Sequence, residues 1–143
     1  MNNIKNITTY DLRYFRLAKN ASENSDFHQH HIGAVATLNH HILDTSWNTN
    51  RTSPLQARYN QYRGLNFDGV THKTHCEIML IEKLKRFHNI DFSKVSIYLY
   101  REWKDGELAL ARPCNSCYKA LYDIGIKNIY YSTYGGYKYE EIC

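Results

Sequence analysis

Thr74-His75-Cys76-Glu77 and, further along the chain, Arg112-Pro113-Cys114-Asn115-Ser116-Cys117 are the stretches on which the reading of this sequence turns. Cys114 and Cys117 stand one helical turn apart and can hold the same ion. His75 would complete a set of one imidazole and two thiolates, which suits a zinc that keeps its fourth position open for water. Ligands in the first turn of a helix meet unpaired backbone N–H groups and a positive helix end, and both help keep thiolates deprotonated. Glu77 would stand clear of the metal and carry protons. Each half is weak alone: Thr74-x-x-Glu77 is also a capping box, and CxxC also occurs in redox pairs and in structural zinc sites. A structural site would ordinarily bring a second close pair of Cys or His ligands, and Cys143 stands by itself. In this order, each at the start of an expected helix and with a strand between them, the halves point to one Zn²⁺ per chain on His75, Cys114 and Cys117.

The surrounding pattern supplies those helices. Residues 75 to 88 place Leu80, Ile81, Leu84 and Phe87 on one face, with Lys83, Lys85 and Arg86 toward the C-terminal end, and Thr74 is the expected N-cap. Residues 114 to 124 bring Cys117, Leu121 and Ile124 together and stop at Gly125. Val95 to Tyr100 reads as a strand, followed by an Asp105-Gly106 turn and a short return over 107 to 111; 126 to 131 reads as another strand and 137 to 142 as a last one. Upstream, residues 8 to 20 form an amphipathic helix with Thr8 and Asp11 in a capping arrangement, and 31 to 38 and 41 to 47 form a hairpin turned at Asn39-His40. Residues 48 to 74 are a long loop with a short helix near 55 to 62. Alternating strands and helices imply an α/β protein with helices on both faces of a mixed sheet.

Length and composition agree. The 143 residues are one domain by size, with 43% hydrophobic and 22% charged residues, which excludes disordered and collagen-like classes. No apolar run approaches the roughly 20 residues of a membrane span, and Met1 to Thr9 carry no secretory pattern, so no membrane partner and a cytoplasmic location are expected. The charge of +4 is mild, compatible with a phosphate-bearing ligand or a nucleic acid.

Beyond the two motifs, Ile32-Gly33-Ala34-Val35, Trp47-Asn48 and Gly125-Ile126-Lys127 leading into Ile129-Tyr130-Tyr131 resemble the cytidine deaminase-like superfamily of zinc-dependent nucleobase deaminases, over roughly residues 30 to 134. Within it the chain is most similar to the branch of deoxycytidylate deaminases and tRNA adenosine deaminases. The resemblance implies a three-layer α-β-α fold with a five-stranded mixed sheet, the strands around the PCxxC helix parallel. It implies zinc on His75, Cys114 and Cys117, a zinc-bound hydroxide attacking the ring carbon, and Glu77 shuttling the protons. It also implies that Asn48 contacts the nucleoside, that the N–H at Cys76 holds the base carbonyl, and that the carbonyl of Arg112 accepts from the departing amine. Two departures stand out: Cys76 replaces the usual alanine, and residues 103 to 107 lengthen a connection.

The substrate expectation is cytosine in a free nucleotide or nucleoside, with deoxycytidylate the nearest analogy and Arg51, His72 and Lys73 available for a phosphate. The alternative is a cytosine or adenine presented by single-stranded DNA or RNA, for which Arg51, Arg58, Tyr59 and Tyr62 offer cations and stacking rings. A homo-oligomer is expected by analogy. The histidines around positions 28 to 31 and 40 to 41 are expected at the surface rather than in a second metal site.

Overall fold

The computed structural model describes residues 6–27, 30–63 and 73–143. Helix α1 (Thr9–Ser22) opens with the anticipated capping box, Thr8 and Asp11 each accepting from the other's backbone N–H. Strands β1 (His31–Leu38) and β2 (His41–Trp47) pair antiparallel around Asn39 and His40, both at positive φ. That is the geometry of a tight two-residue hairpin turn. Tyr14 holds the turn by donating to the His40 carbonyl at 2.9 Å.

After α2 (Pro54–Asn60) and a short 3-10 turn (Gln61–Arg63) comes α3 (Cys76–Leu84), then β3 (Ser96–Glu102), α4 (Asn115–Ile124), β4 (Asn128–Thr133) and β5 (Gly136–Glu141). The sheet order is β2-β1-β3-β4-β5. Only β3 and β4 run parallel, joined across α4, as the resemblance implied. The fold is thus the expected three-layer α/β arrangement with a five-stranded mixed sheet.

Strand parity sorts the core into two layers. Val35, Tyr98, Tyr100 and Tyr130 pack with Tyr14, Phe15 and Ala18 of α1. Ala34, Ala36, Ile97, Leu99 and Ile129 face the other way, against Ile78, Leu80 and Ile81 of α3 and Cys117 and Leu121 of α4. Gly33 lets α1 approach β1 closely, because a Cβ there would lie 1.9 Å from the Ala18 carbonyl oxygen. Gly125 ends α4 at φ 101°, a left-handed conformation that glycine adopts without steric cost.

Several element ends shift by one or two residues from the sequence reading, β4 among them at 128–133 rather than 126–131, and both ends of α3 differ. Thr74 does not cap α3; His75 holds that position. The Thr74 N–H and hydroxyl both donate to the Arg51 carbonyl, and its own carbonyl accepts from Thr49 N–H. Thr74 is therefore stitched to Thr49 and Arg51, and no Thr74–Glu77 capping box forms. Helix α3 also stops at Leu84, short of the expected 88. No helix among the described residues is long and apolar enough to cross a membrane.

Candidate active site

His75 and Cys114 are the N-cap residues of α3 and α4, and neither side chain makes a capping hydrogen bond. Instead the two side chains approach each other. His75 Nδ1 lies 3.6 Å from Cys114 Sγ and 3.3 Å from Cys117 Sγ. The three ligand atoms fall within 4.8 Å of one another. Zn–S of about 2.3 Å and Zn–N of about 2.0–2.1 Å in a tetrahedron put N and S about 3.6 Å apart. The donor set and its spacing therefore fit a single zinc.

Electrostatics favours thiolate here. A hydrogen bond from Cys117 pulls the Cys114 thiol down to about 3 against the opposing effect of burial, with His75 and Ser116 adding to the pull. Burial pushes the Cys117 thiol up.

The backbone of His75 is fixed from behind. Its N–H donates to Gln56 Oε1 at 3.0 Å, and Gln56 Nε2 donates to Asn60 Oδ1 at 2.8 Å, tying α2 to the start of α3. Ser46 of β2 donates to the Cys76 carbonyl at 2.6 Å. Glu77 is buried, 6% exposed, in the first turn of α3. Burial raises its carboxyl, opposed by the nearby His75. The Cys76 thiol donates to Glu77 Oε1 at 2.9 Å, so the residue in the usual alanine position touches the carboxylate.

A cavity of about 320 Å³ opens over this centre, within the size range of small-molecule sites. His75, Cys76, Glu77 and Cys114 border it, and so do Asn48, Lys73 and Arg112 from the sequence reading. Asn48 is held rigidly, its Oδ1 accepting from Ile32 N–H and its Nδ2 donating to the His30 carbonyl. Arg112 grips Glu140 of β5 through two hydrogen bonds of 2.8 and 2.9 Å.

Arg51 does not join this set. It is exposed and does not border the cavity; its contribution is the carbonyl that anchors Thr74. His72 and His28 lie outside the described residues. Tyr59 donates to Asp123 of α4 and borders, with Arg58, a different groove.

The sequence reading missed His30, Arg101 and Gln56. The first two border the cavity, and burial, followed by the Arg101 charge and the nearby His75, pushes His30 down to about 4. The signal for Arg101 was present in strand parity, since it follows Ile97 and Leu99 on the face that carries α3 and α4.

Comparison with known proteins places the fold. Cytidine deaminase from Burkholderia pseudomallei superposes with TM-score 0.58 at 17% identity, covering 92% of this chain and 91% of that one. The dCMP deaminase of cyanophage S-TIM5 gives TM-score 0.55 in both forms. Its apo form is 19% identical, covering 84% of this chain and 79% of that one. Its complex with dCMP and dUMP is 21% identical, covering 84% and 78%. At these identities the likeness is one of fold. No curated protein matches the chain by sequence. The sequence model for the cytidine and deoxycytidylate deaminase zinc-binding region, however, matches residues 8–133. That match spans most of the chain and both halves of the metal centre, and by it this protein belongs to the cytidine and deoxycytidylate deaminase family, with zinc as its cofactor.

Proposed function

We propose that this protein hydrolytically deaminates cytosine to uracil in a free nucleotide or nucleoside, with deoxycytidylate as the leading substrate. The observation that carries the reading is the buried Glu77 carboxylate, bordering the same cavity as His75 and Cys114. A structural metal site has no use for a buried carboxylate beside it.

In the overall reaction water supplies the oxygen that replaces the exocyclic amine at the ring carbon, and the amine leaves as ammonia. Bound zinc lowers the pKa of water to roughly 7–9 and so supplies the nucleophile near neutral pH. Glu77 would take the first proton of that water and pass it to the adjacent ring nitrogen, then take the second proton from the hydroxyl now bonded to the ring carbon and deliver it to the amine as the C–N bond breaks. Burial raises its carboxyl, which suits a group that must both accept and return protons. The Cys76 thiol orients Oε1 through its hydrogen bond. Asn48, locked by two backbone contacts, offers a rigid wall for the sugar, and the Cys76 N–H and Arg112 carbonyl are the groups proposed to hold the base.

A second reading, action on single-stranded nucleic acid, is favoured by a cleft that shares His30 with the cavity and continues past His31, Trp103 and Lys104. It predicts oligonucleotide affinity that falls steeply with salt. The cytoplasm, which keeps thiolate ligands reduced, and a homo-oligomeric state belong to the same proposal.

Ammonia release from zinc-loaded protein, offered free cytosine and adenine nucleosides and nucleotides beside oligonucleotides, tests the reading. Glu77→Gln is expected to cut turnover by about 10²–10⁴-fold or more while keeping one zinc per chain. Undiminished turnover in that variant would overturn the proton-shuttle assignment.

A further inference from the structure

Among the described residues, one buried side-chain nitrogen has no hydrogen-bond partner: Nε of Arg101. A donor of a charged group left unpaired is costly, and native proteins tolerate it where a ligand completes the contact. The rest of the residue is firmly held. Its N–H donates to Ser132 Oγ at 3.0 Å, its carbonyl accepts from Ala109 N–H at 2.9 Å, and its guanidinium carbon sits 4.9 Å from the centre of the Trp103 ring. Register with Ile32 and parity with Leu99 bring the side chain out at the carboxyl end of β3, on the zinc side of the sheet, where it borders the cavity with Glu77. Carboxyl ends of strands are where α/β sheets place their ligands.

The charges around it are unequal. Arg112 is already neutralised by Glu140. Glu102, next in sequence, is engaged by Lys19 and by the Tyr100 hydroxyl. Arg101 and Lys73 thus face the cavity with no carboxylate partner among the described residues. Two positive charges, one of them a planar fork aligned by an aromatic ring, match a dianionic phosphate better than a monoanionic diester.

We infer that Arg101, flanked by Lys73, is the anion receptor of the cavity and selects a phosphomonoester, so that the substrate is a nucleoside monophosphate rather than a nucleoside or a base within a nucleic-acid strand. The inference rests on the deaminase reading for its choice of nucleoside, but the receptor itself can be tested by binding alone.

Calorimetric titration of zinc-loaded wild type, Arg101→Gln and Arg101→Lys with dUMP and deoxyuridine reads the receptor. Arg16→Gln, an exposed change on α1, serves as the charge control. Wild type is expected to prefer dUMP by about 30-fold or more. Arg101→Gln should shrink that preference below about 3-fold, Arg101→Lys should fall between, and Arg16→Gln should match wild type. Ammonia release from dCMP, deoxycytidine and a cytosine-bearing oligodeoxynucleotide gives the parallel kinetic arm, in which the dCMP-to-deoxycytidine ratio of kcat/KM should collapse in Arg101→Gln, mainly through KM. An equal dUMP preference in wild type and Arg101→Gln overturns the inference. So does an oligonucleotide turned over in preference to dCMP. Should Arg101→Gln fail to fold, Arg101→Lys decides: an unchanged preference there overturns the receptor role. If no nucleobase releases ammonia yet the Arg101-dependent preference persists, the deaminase reading has failed and the receptor stands.

Discussion

The two faces of the sheet are built on different rules. Under α1, aromatic rings fill the layer and three of their buried hydroxyls are engaged: Tyr98 donates to Asp11, Tyr14 to the His40 carbonyl and Tyr100 to Glu102. Tyr98 and Tyr130 stack with centroids 4.4 Å apart and planes 10° from parallel. Burial, then the bond to Asp11, pushes the Tyr98 phenol far above its usual range. Under α3 and α4 the layer is aliphatic, and the polar groups at its rim are left incomplete: two helices start without a side-chain cap and Arg101 Nε lacks a partner. Polar satisfaction is thus concentrated on the face without chemistry, and the unfinished contacts on the other face are those a metal and an anion complete.

Perturbing each face separately sharpens this contrast. On the zinc face, Cys117→Ala is expected to abolish stoichiometric zinc. With free zinc at about a thousand times Kd the lost stabilisation is about 4 kcal/mol, a Tm drop of about 10–15 °C, read by metal analysis and thermal melting. On the opposite face, Gly33→Ala drives a methyl into the Ala18 carbonyl and should cost about 3 kcal/mol in urea unfolding, with zinc content retained. Loss of zinc in Gly33→Ala would show that the faces are not independent. Asp11→Asn weakens the α1 capping box and the charged acceptor of Tyr98 together. It should cost about 1–2 kcal/mol and leave ammonia release unchanged.

The smallest effect belongs to Arg112 and Glu140. Hydrogen bonds from Arg112, opposed by burial and aided by Tyr131, hold the Glu140 carboxyl below the usual carboxylate range. The pair therefore stabilises the fold fully above the unfolded pKa of about 4.3, and its contribution fades as pH falls through the lower folded value. Both partners are partly exposed, so Glu140→Gln should cost less than about 1 kcal/mol at pH 7 and flatten the stability curve below about pH 5.

Much of this was legible in the chain. Thr8 with Asp11, the Asn39-His40 turn, the 3.6-residue period over 114 to 124 and Gly125 are local signals, and each formed the element it encodes. The metal centre was legible because ligand chemistry restricts both residue type and spacing. What escaped depends on contacts between distant segments. Thr74 could cap α3 on local grounds, but the Arg51 carbonyl competes for it. Gln56 supports His75 from another helix, a role invisible from its own neighbours. Arg51 and Arg58 read as a basic substrate loop, yet the cation bordering the cavity from a strand is Arg101, whose parity with Ile97 and Leu99 went unused because the expected strand stopped at Tyr100.

His75 and Cys114 occupy the positions where helices ordinarily carry a Ser, Thr, Asp or Asn cap. Their side chains can bind one shared ion, so zinc would couple the opening turns of α3 and α4, which lie far apart in sequence. Fraying at either start is then expected to loosen the other, and hydrogen exchange should show the amides just inside both helices gaining protection together when zinc is added. Zinc binding is therefore expected to stiffen both helix starts, and with them the first turn of α3 that carries Glu77, the carboxylate proposed to move the protons.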